Sequence, residues 1–193
     1  MWSTLTSGKI IIITAPSGSG KTTLVKRLLS DFSWLKFSVS ACTRQPRNGE
    51  VDGKDYHFYT EESFKKLIEE DAFAEWEMVY PGKYYGTLKA ELNKIWAATH
   101  TPLVDIDVQG ALEIQTSYPD TSLTVFIQAP SLEALRERLI KRGTETPHSL
   151  EERVSKAGLE LSFAAQFDKI IINDDLEVAL IELKQAVTDF MAS

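Results

Sequence analysis

The chain has 193 residues and a net charge of −7; this excludes a general nucleic-acid-binding surface but not a local anion site. Its 43% hydrophobic and 25% charged content is that of a soluble globular chain long enough to bury a core, and no apolar run approaches the ~18 residues of a membrane span. One cysteine, Cys42, excludes an internal disulfide or a multi-cysteine metal site, and with no charged-then-apolar leader in "MWSTLTSGK" a cytoplasmic location is expected.

In chain order, "KIIIITA" (9–15) reads as a strand buried on both faces. "TTLVKRLLSDF" (22–32) is an amphipathic helix and "FSVSA" (37–41) a short strand. Residues 42–59 are rich in Gly and Arg. A helix follows Thr60 as N-cap and runs to about Glu70. "PGKYYG" (81–86) is a turn, and 87–98 reads as helix. "PLVDIDV" (102–108) and "LTVFIQA" (123–129) are buried strands. "SLEALRERLIKRG" (131–143) is a helix ending at Gly143. A second helix at 149–161 opens on a Ser149/Glu152 capping box. "DKIIIN" (168–173) is the last strand and 175–191 the closing helix. Two-face-buried strands alternating with helices indicate an α/β fold: a parallel sheet covered by helices. The stretches 42–92 and 131–160 are excursions from it. Ligands bind such sheets at the carboxyl ends of the strands.

At the first of those ends stands "APSGSGKTT" (15–23). Ala15, Pro16, Ser17, Gly18, Ser19, Gly20, Lys21, Thr22 and Thr23 make a P-loop, with Ala15 where the general pattern has Gly. Gly18 and Gly20 supply unusual dihedrals and let the backbone approach a phosphate. Lys21 neutralises the β- and γ-phosphates, and Thr22 offers a hydroxyl to Mg²⁺. The bland alternative is a Gly/Ser turn that merely caps a helix. A P-loop implies a nucleoside triphosphate but not the acceptor.

"TRQPRNGEVDGKDYHF" supplies candidates for an acceptor phosphate: Arg44 and Arg47 through planar forks, Tyr56 through its hydroxyl. Alone, the segment reads equally as a solvated loop. "FAEWEMVYPGKYYGT" sets Glu75 between Ala74 and Trp76. A carboxylate in apolar surroundings needs a partner, and guanine's N1–H and 2-amino group are two matching donors that adenine lacks. "LVDIDVQG" puts Asp105 and Asp107 on one face of a strand, to be satisfied by a magnesium-bound water, a lysine or a substrate amino group, or to cap local backbone. Arg138 and Arg142 share a helix face, and with Arg153 could neutralise a moving phosphoryl group or simply pair with neighbouring glutamates.

Together these motifs resemble guanylate kinase, from Gly8 to about Phe190: "APSGSGKTT", "SACTRQPRNGEVDGKDYHF", "FAEW", "YYGT", "DIDVQGA", "RLIKRGTET" and "NDD" in order. The resemblance implies transfer of the ATP γ-phosphoryl to GMP with Mg²⁺, by a monomer or homodimer that uses no nucleic acid or membrane. It implies a core (1–40, 94–130, 161–193), a nucleoside-monophosphate-binding region (41–93) and a lid (131–160). It places Arg44, Arg47, Tyr56 and Tyr85 at the GMP phosphate, Glu75 and Thr87 at the guanine, and Ser40 among the GMP-binding residues. Asp107 is a further guanine-side contact, and Asp105 lies near metal and phosphates, reaching Mg²⁺ through water beside Thr22. Lys21, Arg138, Arg142 and Arg153 form the cationic clamp, and Asn173 lies near the ATP base. Two departures are small: "ACTRQPR" carries Ala41, Cys42 and Gln45 where other residues are usual, and one extra residue precedes "YYG". Catalytically silent relatives that bind peptides, and kinases of phosphorylated sugars, are the competing implications.

Overall fold

A computed structural model describes residues 8–143 and 146–193. The leader reading falls largely on residues 1–7, and "RLIKRGTET" includes Thr144 and Glu145; these lie outside the described residues. The main sheet has five parallel strands: β1 (Ile10–Thr14), β2 (Leu35–Phe37), β7 (Thr101–Asp105), β8 (Ser122–Gln128) and β9 (Lys169–Ile172). Their order is β2-β7-β1-β8-β9. β1 is central and wholly buried. Its alternating side chains serve two cores. Ile11 and Ile13 pack with α1 (Lys21–Asp31) and α7 (Leu176–Ala192). Ile10 and Ile12 pack with α3 (Lys89–Ala97) and α4 (Val108–Ser117). This explains why a run of four isoleucines forms the strand: neither face meets water.

Residues 41–88 build a second sheet. Its strands are β3 (Ala41–Cys42), β4 (His57–Phe58), β5 (Phe73–Tyr80) and β6 (Lys83–Leu88), in the order β4-β3-β6-β5. One face packs on α2 (Glu61–Glu69) through Phe64, Phe73, Tyr84 and Leu88. Cys42 is fully buried in β3, and burial raises its thiol pKa. α5 (Leu132–Arg142) and α6 (Pro147–Leu161) form a third unit with its own small cluster of Leu135, Leu139 and Ala157.

Four readings are corrected. "FSVSA" is not one strand: the chain leaves the main sheet after Phe37 and enters the second at Ala41. "FAEWEMVY" and "KYYGTL" are paired strands, closed by Pro81-Gly82 with Gly82 at φ 72°, as a Pro-Gly turn allows. Strand β7 ends at Asp105, and Asp107 is instead the N-cap of α4, its carboxylate accepting from Gly110 N. The last is α6, which begins at Pro147, not Ser149: Thr146 is its N-cap and Ser149 the N3 member of the capping box. Pro pre-sets the first helical turn, so the cap moves to the residue before it. Among the described residues no helix is long and apolar enough to cross a membrane.

Candidate active site

The three units surround one cleft of about 1260 Å³, above the carboxyl ends of β1 and β7. The loop 15–20 turns from β1 into α1, with Gly18 at φ 94° and Gly20, the N-cap of α1, at φ 88°. Gly20 has a second reason to be glycine. A Cβ there would run into Asn173 Nδ2. Asn173 is buried behind the loop, where Nδ2 donates to the Ser19 carbonyl at 2.7 Å and its own carbonyl accepts from Arg138 at 2.8 Å. It thus ties the loop to β9 and to α5. Ala15–Gly18 and Gly20–Thr23 line the cleft, whereas Ser19 faces inward and is buried. A helix N-terminus with free amides beneath a cleft is an anion site.

Lys21 Nζ pairs with the Asp105 carboxylate and lies 3.4 Å from the Ile106 carbonyl. Of the partners open to Asp105, the structure supplies the lysine. From the third unit, Arg138, Arg142 and Arg153 all reach the cleft. Arg153 donates to Ser17 Oγ at 2.8 Å, so α6 touches the loop directly.

Opposite lie Ser40, Tyr56, Tyr85 and Glu75. Glu75 is 7% exposed. The Thr87 hydroxyl, buried behind the cleft wall, donates to Glu75 Oε1 at 2.6 Å. Burial pushes the Glu75 carboxyl up to about 7, and the negative charges of Asp107 and Glu113 add to this. Its Oε2 lies over the first turn of α4, where a Cβ on Gly110 would sit 2.7 Å away. Arg44 and Arg47 stand beside the cleft rather than in its wall. Glu50 takes Arg44 Nη1 and Nη2 at 2.5 and 2.7 Å and accepts from the Arg47 backbone N–H at 2.7 Å. The Arg44 hydrogen bonds and then that N–H hold Glu50 down at about 2. The Arg44 guanidinium lies 4.7 Å from the Tyr56 ring centre, and burial raises the Tyr56 phenol.

Sequence reasoning missed several of these residues. Glu50 fixes Arg44. Gly110 makes room for Glu75. Glu77, Lys156 and Glu160 also line the cleft. Two had a legible signal: Glu77 follows Glu75 by one strand repeat, and Lys156 follows Arg153 by about one helical turn.

A family model described as guanylate kinase matches residues 7–190. The chain belongs to the guanylate kinase family. It is 45% identical over 183 residues to a Bacteroides fragilis protein named guanylate kinase, covering 95% of this chain and 90% of that one. It is 44% identical over 185 residues to the protein of that name from Porphyromonas gingivalis, covering 95% and 98%. The crystal structure of guanylate kinase from Anaplasma phagocytophilum superposes with a TM-score of 0.74 at 28% identity, over 96% of this chain and 87% of that one. A shikimate kinase from Bacteroides thetaiotaomicron, at TM-score 0.51 and 16% identity, shares the fold alone.

Proposed function

We propose that this protein transfers the γ-phosphoryl group of ATP to GMP, giving ADP and GDP. The observation that carries this reading is the buried Glu75 carboxyl, held by Thr87 in the wall of a cleft that also contains the P-loop. Its raised pKa marks an acceptor still short of donors, and guanine brings two. The ATP phosphates rest on the loop 15–23. Lys21, Arg138, Arg142 and Arg153 surround the transferring group, from one side and from the lid α5–α6. Ser40, Arg44, Arg47, Tyr56 and Tyr85 hold the GMP phosphate. Glu75 and Thr87 take the guanine edge, and Asp107 lies beside it.

Catalysis is positioning and charge neutralisation, without a covalent enzyme intermediate. Four cations spread over two units oppose the charge that develops on the γ-phosphoryl oxygens. Asp105 keeps Lys21 directed to the strand ends until phosphates compete for it. Thr22 and, through water, Asp105 would hold Mg²⁺. No cluster of three or more His, Cys, Asp or Glu suited to a metal occurs among the described residues. Mg²⁺ held with a nucleotide takes one or two protein oxygens, with phosphates and water completing its shell. Bound Mg²⁺ supplies further neutralisation of the β- and γ-phosphates.

The test is ADP release with ATP, Mg²⁺ and each of GMP, AMP, CMP and UMP. Release with GMP alone supports the reading. Turnover of another acceptor would leave the P-loop assignment standing and overturn the guanine site.

A further inference from the structure

β5 carries a second carboxylate that the reaction above leaves without a task. Glu75 and Glu77 are two residues apart on one strand and share a face; both line the cleft. The register fixes their neighbours. Glu75 lies opposite Thr87, and Glu77 lies opposite Tyr85. The step from Glu75 to Glu77 is about 7 Å along the strand. It leads from the base-reading pair toward Tyr85 and Tyr56, whose rings meet edge-on at 6.2 Å. In a nucleoside monophosphate, what lies between base and phosphate is the ribose.

The chemistry around Glu77 is short of donors. Its carboxyl comes within hydrogen-bonding reach of the Asp107 carboxyl at the start of α4. Glu77 Oε2 is shielded from solvent and has no hydrogen-bond partner among the described residues. Asp107 Oδ1 already accepts from Gly110 N at 2.9 Å. Hydrogen bonding with Asp107 and burial hold the Glu77 carboxyl up at about 7; once it ionises, both groups are acceptors and leave room for a donor between them. Lys156 of α6 is the nearby cation, and it is ion-paired with Glu160 at 3.7 Å on its own helix. A phosphate at this position would be repelled, whereas a sugar's vicinal hydroxyls are neutral donors.

We propose that Glu77 reads the sugar of the acceptor: its carboxylate accepts hydrogen bonds from the 2′- and 3′-hydroxyls of GMP, which sets a preference for the ribonucleotide over its 2′-deoxy analogue. This rests on the assignment of the Glu75 end of the cleft to guanine.

The test is kcat/KM for GMP and for dGMP at saturating ATP, in the wild type and in Glu77→Ala. The ratio is formed within one preparation, so any loss of folded protein cancels. The wild type should prefer GMP by about tenfold or more, the effect of one hydrogen bond to a charged acceptor. Glu77→Ala should bring the ratio near one: GMP loses the hydrogen bonds of both hydroxyls, dGMP only that of its 3′-hydroxyl, and the KM for ATP holds. An unchanged ratio in Glu77→Ala, or a wild-type ratio near one, would overturn the proposal while guanine recognition stands. Phosphorylation of a different base, with neither guanosine nucleotide accepted, would overturn the guanine assignment and this proposal together.

Discussion

Glu75 concentrates the chemistry of the acceptor site in one side chain. Its folded pKa of about 7 lies above the ordinary carboxylate value. Between about 4.5 and 7 the folded protein therefore holds more proton than the unfolded chain. The contribution of this group to stability is full below that window and is lost as pH rises through it. On the proposed assignment GMP should reverse the preference, because the two donors of guanine favour the ionised form. Binding at pH 6 should release a proton from Glu75, and affinity should weaken toward acid. Calorimetry in two buffers of different ionisation heat measures the release; Glu75→Gln should remove that part of it and leave the part due to the phosphate of GMP. The same variant should lose about 2–4 kcal/mol in kcat/KM for GMP, with the KM for ATP nearly unchanged. Gly110 offers an independent handle. A methyl group there enters the space of Glu75 Oε2, and the flexible carboxylate yields first. Gly110→Ala should lower kcat/KM for GMP about a hundredfold, as a displacement near 1 Å does, with little change in melting temperature. Equal losses in activity and stability would point to damage in α4 instead.

At the level of elements, the first part of the segment between β3 and β4, from Arg44 to Glu50, is tied by one acidic residue, while Asp52 and Asp55 brace the remainder. Glu50 joins both arginines of "TRQPR" in one turn. Glu50→Ala should leave Arg44 and the Arg47 backbone unfixed and raise the KM for GMP roughly tenfold, on the scale of a charge-assisted pair. The KM for ATP should not move, and steady-state kinetics with each substrate varied in turn decides this. The elements of the main sheet were largely legible, because a strand covered on both faces is a bare apolar run such as "IIII" or "TVFI". The second sheet was not. Along β5, Phe73 and Glu75 are buried, while Trp76, Met78 and Tyr80 are exposed. Polarity therefore runs opposite to the usual alternation: the face that receives substrate is carboxylate, and aromatic residues face solvent. The start of α4 was masked for a similar reason. "DIDV" continues the apolar beat of β7, and only the cap geometry of Asp107 reveals the turn. The candidate site was legible where chemistry needs a rare residue set, as in the loop 15–23. It was not legible where the partner of a functional side chain is remote in sequence, as with Asn173 behind Gly20.

For the whole molecule, four apolar clusters, two of them on the faces of the main sheet, surround one polar cleft. The lid cluster is the smallest, so α5 and α6 should open at lower free energy than β1 or β8. Native-state hydrogen exchange would measure this as fast amides in α5–α6 and slow ones in β1, whose exchange needs global unfolding. ATP with GMP should slow the lid amides, because Arg138, Arg142 and Arg153 then have phosphates to hold. Equal protection in lid and core without substrate would contradict separate cores. A closure of α5–α6 that required both substrates would also exclude water from the γ-phosphoryl group. ADP release without an acceptor should therefore be far slower than with GMP.

Cys42 gives this motion a chemical clock. The chain has a single thiol, and it is enclosed in β3 between β4 and β6. A thiol reagent reaches it only when that small sheet parts. The labelling rate is thus a traceless readout of opening in one unit of the protein, with no engineered probe required. An occupied acceptor site, lined by residues of β5 and β6, should lower the labelling rate in proportion to its occupancy.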